Sequence, residues 1–366
     1  MTMKLTRRAF AITGCALALT AGAGWAQDVP AGYPDDYAQL VEAAKSQGKV
    51  VVYTSTDIAQ AQAMLDAFTQ KYGIQVEYND LGTNGAYNRA ISEAAANQMG
   101  ADIVWSSAMD LQMVLAADGY AETYASPETG NLPEWAVYQD QIYATTVEPI
   151  GIIYNTGAIS EEEFPRTRAD LIAYLNENRD KLRGKVATFD PEKSGTGFLH
   201  HTNDVEQTDN FWDLAKALGA VGVRTYSSSG SMRETVVSGE NVMSINIIGS
   251  YALEWVQDSP NLGVAFGEDY TAAFSRLALL TKGAPHPDAG KLLIDFMLSH
   301  EGQSALAAGG LPSVRSDVTT GLNIDSLNER VGGSLKPIAV SEDLLTYMAP
   351  QKRVEFFREW NAAIGK

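Results

Sequence analysis

Short apolar runs rich in β-branched residues alternate along this chain with segments whose apolar positions recur at helical spacing. "YPDDYAQLVEAAKSQG" has the helical pattern, and "KVVVYTST" follows as a run suited to a strand covered on both faces. Residues 57–72 read as a helix with Ala61, Met64, Leu65 and Phe68 on one face, closed by Gly73. "IQVEY" predicts the next strand, residues 85–98 a helix, "ADIVWSS" a strand and residues 111–117 a helix. Such alternation predicts an α/β fold with a mostly parallel sheet.

The pattern changes near Glu148, where "IYATTVEPIGIIYNT" forms one long extended run broken at Pro149-Ile150-Gly151. A second α/β set follows, with strands at "KVATFD", "VMSINI" and "GVAF" and helices over 168–176, 210–218 and 249–257. "FSRLALLTKG" is a candidate return crossing, two helices follow from Pro287, and the tail ends in the amphipathic "VEFFREWNAAI". More than one crossing predicts two lobes with a cleft between them, the usual place for a small ligand. The expected division is 27–149 plus 270–312 for one lobe and 150–269 plus 313–366 for the other. A simple tandem of two domains is the alternative, and the two crossings weigh against it.

Length supports two units, since 366 residues at about 150 per domain make two. The start, "MTMKLTRRAFAITGCALALTAGAGWAQ", reads as a secretory signal peptide cut after Ala26, and it assigns the chain to the periplasm. Thr6-Arg7-Arg8-Ala9-Phe10 fits a twin-arginine signal, with ordinary export as the alternative. Cys15, the one cysteine, lies inside the apolar stretch, which weighs against lipidation and leaves no disulfide in the exported chain. The formal charge is -18; losing Lys4, Arg7 and Arg8 from 27 basic residues against 45 acidic makes it -21. That excess repels nucleic acid but leaves a small anionic ligand open, because local geometry overrides the global sign.

Candidate chemistry clusters where strands give way to helices. "DPEKSGTGF" carries Ser194, Gly195 and Thr196 at an expected helix start, where free N–H groups and small residues suit an anion. It lacks the lysine of a P-loop and the spacing of a dinucleotide loop. Taken alone, the stretch reads first as an ordinary N-cap, with Ser194 capping and the glycines making a tight turn. "YTSTD" places Ser55, Thr56 and Asp57 at a second such junction, "WSS" places Trp105 and Ser107 at a third, and "YSSSGSMRETV" places Ser229 and Arg233 at a fourth. Ligands of open α/β sheets sit at the carboxyl ends of strands, so four hydroxyl-rich junctions together favour an anion cleft over four caps. No nucleophile elbow or H-E-x-x-H zinc motif is present, and His200 and His201 read as a surface pair.

With these residues in place, the chain resembles the periplasmic binding proteins of bacterial ABC importers, type II fold, and most of all their ferric-iron-binding branch. "VVVYTSTD", "ADIVWSS", "GIIYNTGAIS", "RGKVATFDPEKSGTGF", "VVSGENVMSINIIGSYA", "GKLLIDFMLSHEGQSAL" and "GGLPSVRSDV" carry the likeness over nearly the whole exported chain. The resemblance implies two hinged lobes that close on a ligand, a monomeric carrier and a membrane permease as partner. Iron-binding members use a histidine, a glutamate and two adjacent tyrosines; here those positions hold Asp57, Ser107 and Ser250-Tyr251. One phenol and one aspartate make a poor set for a hard trivalent cation. The family's anion-holding helix start matches Ser194, Gly195 and Thr196. The resemblance therefore implies a metal-free, non-enzymatic carrier of a small organic anion, such as a sugar phosphate or phosphonate. In that scheme Ser194, Gly195, Thr196, Ser229 and Arg233 hold the anion from one lobe, and Ser55, Thr56 and Ser107 close from the other. Asp57 or Glu148 takes the ligand's other end, between walls formed by Tyr251 and Trp105. A polyamine carrier, a ferric carrier and an extracytoplasmic hydrolase remain as alternatives.

Overall fold

The computed structural model describes residues 32–366; the signal peptide and Cys15 expected from the sequence lie outside them. Six strands form one sheet: β1 (Lys49–Thr54), β2 (Gln75–Asp80), β3 (Ile103–Ser106), β4 (Val137–Tyr138), β5 (Ile142–Ala144) and, returning from far downstream, β12 (Leu277–Leu280). The second sheet holds β6 (Glu148–Asn155), β7 (Val186–Phe189), β8 (Arg224–Tyr226), β9 (Met243–Ile248), β10 (Leu262–Ala265), β11 (Thr271–Phe274) and β13 (Leu335–Pro337). Each sheet with its covering helices forms one lobe. The sheets are more mixed than expected. β1, β2 and β3 run parallel, as do β7, β8 and β9, but β12, β5 and β6 pair antiparallel with their neighbours.

Local sequence accounts for the elements. Five of six β1 residues are buried, as a strand covered on both faces requires. The helix Ile58–Tyr72 buries Ala61, Met64, Leu65, Phe68 and Tyr72 on one side. It ends at Gly73, whose φ of 72° lets its N–H cap Thr69 O. In the second lobe the tail helix Pro350–Ile364 packs Phe356 and Trp360 against Phe211. Gly219 permits that approach, since a Cβ there would meet Ala363 O at 2.1 Å.

The chain changes sheet three times, the last on the way from β12 to β13, and the first two changes lie together. It leaves the first sheet after Ala144 and enters the second at Glu148, and it returns between Phe274 and Leu277. The crossing thus precedes Pro149-Ile150-Gly151, which lies inside β6. A proline near the start of a strand removes one donor but keeps an extended φ. The break in the pattern instead coincides with an irregular register between β6 and β9 near Gly151 and Ile153. The two crossings run side by side. Thr145 N–H donates to Arg276 O at 2.9 Å, and Arg276 N–H donates to Thr146 Oγ1 at 2.9 Å.

Candidate functional site

Strand ends from both sheets converge between the lobes. Ser55 and Thr56 follow β1, Ser107 follows β3, the helix Gly195–Gln207 starts just after β7, and the helix Gly249–Asp258 starts directly after β9. Ser55 Oγ accepts the Ser107 N–H at 3.0 Å and lies 3.1 Å from Ser107 Oγ. Ser107 Oγ in turn reaches across the cleft to Thr196 Oγ1 at 2.8 Å. Beside it, Gly195 N–H donates to Thr83 Oγ1 at 3.1 Å and Asn84 Nδ2 to Lys193 O at 3.1 Å. On the far side Gln60 Nε2 donates to Glu254 Oε2 at 3.1 Å. The lobes therefore touch through polar groups on both flanks. Gly195 marks a close approach, since a Cβ there would meet Ala108 Cβ and Leu111 Cδ1 at 3.0 Å and Asn84 Oδ1 at 3.1 Å.

Beneath this ring sits a cation that sequence reasoning passed over. Arg276 has no solvent exposure, and neither has Glu148. Arg276 Nε lies 2.8 Å from Glu148 Oε1, and Nη2 donates to Glu148 Oε2 at 3.1 Å. Nη1 donates to Thr56 Oγ1 at 3.0 Å, and the guanidinium lies 5.2 Å from the Tyr251 ring centre. Burial works most strongly against the charge on Arg276, but Glu148 together with the neighbouring Tyr251 and Tyr78 outweighs it and holds the pKa above the usual arginine value. Glu148 is fully engaged, taking Thr146 Oγ1 at 2.8 Å and Ser250 Oγ at 2.5 Å as well. It therefore anchors Arg276 and leaves no free oxygen for a ligand. Burial pushes the Tyr251 phenol up to about 12 despite the pull of Arg276, so it is a neutral donor at pH 7. The signal in the sequence was an arginine inside an otherwise apolar crossing, "AFSRLALL".

The other expected residues divide. Ser194 is the N-cap, accepting Gly197 N–H at 3.1 Å, so the capping account of its hydroxyl holds. Thr196 projects its hydroxyl to the other lobe. Ser229 is buried beside the end of β9, accepting Ile248 N–H at 3.4 Å. Asp57 is exposed at the start of its helix, its N–H 3.4 Å from Tyr251 Oη. Arg233 points elsewhere: its Nη2 donates to Ser259 at 3.1 Å and its guanidinium lies 5.5 Å from the Trp255 ring. Ser259 follows the last turn of the helix Gly249–Asp258, about 15 Å along the axis from its cleft end. Trp105 is a core residue of the first lobe, donating Nε1–H to Thr145 Oγ1 at 2.8 Å. His200 and His201, expected at the surface, are wholly buried, and burial pushes both down to about 4. They sit between the helix Gly195–Gln207 and the sheet, bonded to Asn246 O and Phe189 O.

Residues 63–327 match the family model described as bacterial extracellular solute-binding protein. The crystal structure of the substrate-binding protein of an ABC transporter from Agrobacterium tumefaciens is 36% identical. The match covers 86% of this chain and 94% of that one, with a TM-score of 0.81. A protein of Salmonella typhimurium provisionally named a 2-aminoethylphosphonate-binding periplasmic protein is 25% identical over 269 residues, 70% of this chain and 75% of that one. The periplasmic binding protein AfuA from Actinobacillus pleuropneumoniae, solved with fructose-6-phosphate, shares the fold. Its TM-score is 0.69 at 23% identity, covering 87% of this chain and 99% of that one. Matched across most of its length by the family model, and by two lobes that meet along a polar cleft, the chain belongs to the bacterial extracellular solute-binding proteins as the substrate-binding component of an ABC transporter.

Proposed function

We propose that this protein captures a small phosphorylated organic anion between its lobes and presents it to the membrane permease. The observation that carries this reading is the contact between Ser107 Oγ and Thr196 Oγ1 at 2.8 Å, beside the buried Arg276. Each hydroxyl belongs to a different lobe, Ser107 just past β3 and Thr196 in the first turn of the helix Gly195–Gln207. An anion inserted between them accepts from both, so ligand binding and closure are one event. The start of the helix Gly195–Gln207 adds its partial positive charge. Arg276 lies one layer deeper, fixing Thr56 and supplying positive potential that Glu148 tempers. No bond is made or broken. The Salmonella relative and AfuA are consistent with a phosphonate or phosphate headgroup. Export to the periplasm follows from the family together with the expected signal peptide.

The test is calorimetric titration of purified protein with sugar phosphates, 2-aminoethylphosphonate, dicarboxylates, polyamines and ferric iron. The reading expects saturable binding of a phosphorylated or phosphonate ligand, weakened by Thr196→Val. Binding of Fe³⁺ alone, or of polyamines alone with Thr196→Val unchanged, overturns it.

A further inference from the structure

A second polar cavity, of about 400 Å³, opens between the lobes on the side of the tail. Four parts of the chain wall it, one of them the apolar segment 337–339. Asp110 comes from the helix Met109–Ala117 of the first lobe, Asn203 and Glu206 from the helix Gly195–Gln207 of the second, and Asp343 and Tyr347 from the 3-10 turn Glu342–Met348. None of the hydroxyl-ring residues lines it.

Its floor holds an unmatched charge. Asp110 is only 2% exposed; Oδ1 accepts the Leu111 N–H at 2.8 Å, and Oδ2 has no hydrogen-bond partner. The side-chain nitrogen of Asn203, which lines the same cavity, is also buried and unpartnered. A buried carboxylate without a partner is costly, and either a proton or a cation with N–H donors relieves it. Glu206 and Asp343 at the rim make the cavity acidic, and no lysine, arginine or histidine lines it. From the helix behind, Arg353 attracts Asp110, but its guanidinium rests 4.4 Å from the Phe198 ring centre and donates to Met348 Sδ at 3.4 Å. Burial pushes Asp110 up to about 7, so near neutrality it exchanges its proton readily for another partner.

The cavity is far larger than one ion. Among the described residues no group of three His, Cys, Asp or Glu side chains is placed to hold a metal. An organic ammonium needs no such cage, because its own N–H groups donate to scattered oxygens. We propose that this cavity is a second ligand site, taking a small diamine with one ammonium on Asp110 Oδ2 and the other held at the rim by Glu206 and Asp343. Asp110 and Glu206 belong to different lobes, so an occupant spanning them favours the closed arrangement. The inference is independent of the anion reading of the cleft.

Titration of the purified protein with 1,4-diaminobutane at pH 8 and low salt tests it. The expected result is one saturable site, weakened at least ~10-fold by Asp110→Asn and a few-fold by Glu206→Gln, and unchanged by Ser107→Ala. Tetramethylammonium, which has the charge without N–H donors, is expected not to bind, and neither is Mg²⁺. Asp110→Asn removes an unpaired charge without changing shape, so it is expected to fold; Glu206 is exposed, and its variant provides a second arm. Absence of a saturable site, full affinity in both variants, or equal binding of tetramethylammonium or Mg²⁺ overturns the proposal. Loss of binding in Ser107→Ala also overturns it, by placing the diamine in the main cleft.

Discussion

Glu148 and Arg276 face each other with no solvent exposure, one at the start of β6 and the other in the return crossing between β11 and β12. The pair therefore ties together two of the three segments that link the lobes. Isolated buried pairs are often no better than an apolar substitute, yet breaking one strands a charge. Glu148→Gln is expected to cost ~3–5 kcal/mol of unfolding free energy, whereas Glu148→Leu with Arg276→Met is expected to recover much of that loss. Urea unfolding of the single and double variants measures both. A double variant as unstable as the single one would show that the hydroxyl partners Thr56 and Ser250, not the charges, carry the stability.

Ligand affinity is expected to depend on hydroxyls rather than on Arg233. A hydrogen bond to a charged ligand contributes ~1.5–3 kcal/mol, so Thr196→Val and Ser107→Ala each predict ~10- to 100-fold weaker binding of the phosphorylated ligand. Arg233→Ala predicts little change in affinity and a modest loss of stability, because its guanidinium serves Ser259 and Trp255. Calorimetry on the three variants checks the order.

Most of the fold was legible because its elements are long and strongly periodic. The helix Ile58–Tyr72 falls where helical spacing places it, and strand β1 where a continuous apolar, β-branched run does. The missed elements are short: the helix Ile324–Arg330, the three-residue β13 and the 3-10 turn Glu342–Met348 owe their shape to tertiary packing. At the site, the strand-end rule located Ser55, Thr56, Ser107 and Thr196, since the loop after a strand in an open sheet must emerge at the same edge. The rule says nothing about where a side chain one turn into a helix points, which is why Arg233 was misplaced. It is also silent about Arg276, which lies beneath the cleft on a crossing segment. His200 and His201 looked polar in the sequence but occupy the face of their helix that meets the sheet.

Closure is expected to fail when Gly195 gains a bulky side chain. Its helical position tolerates any residue locally, but the first lobe lies 3.0 Å from where a Cβ would stand. Gly195→Leu therefore leaves the fold intact and holds the lobes apart. Small-angle scattering is expected to give a larger radius of gyration for the variant than for the parent with ligand present, together with a loss of affinity. An unchanged radius in the presence of ligand would show that the helix start shifts to accommodate the side chain.

Acid stability offers a last test, because buried groups of opposite kinds work against each other. Burial holds His200 and His201 at about 4 against 6.5 for a free histidine. Between those values the unfolded chain binds protons that the folded chain refuses. Their contribution is whole above pH 6.5 and is lost as pH falls toward 4, at up to about 1.4 kcal/mol per pH unit for each. Asp110, pushed up to about 7, and Asp295, pushed up to about 6, act in the other direction. Each keeps a proton that the unfolded chain releases above about 4, so its contribution is present at low pH and is lost as pH rises through the folded value. The parent protein is thus expected to show a shallow slope from pH 6.5 to 4. His200→Gln, which retains a donor for Asn246 O but does not titrate, is expected to gain stability relative to the parent as pH falls across that window. Asp110→Asn, which removes an opposing group, is expected to lose stability relative to the parent over the same range. Urea unfolding at half-unit pH intervals resolves both differences, and parallel curves for parent and His200→Gln would mean that His200 already carries a proton in the folded state.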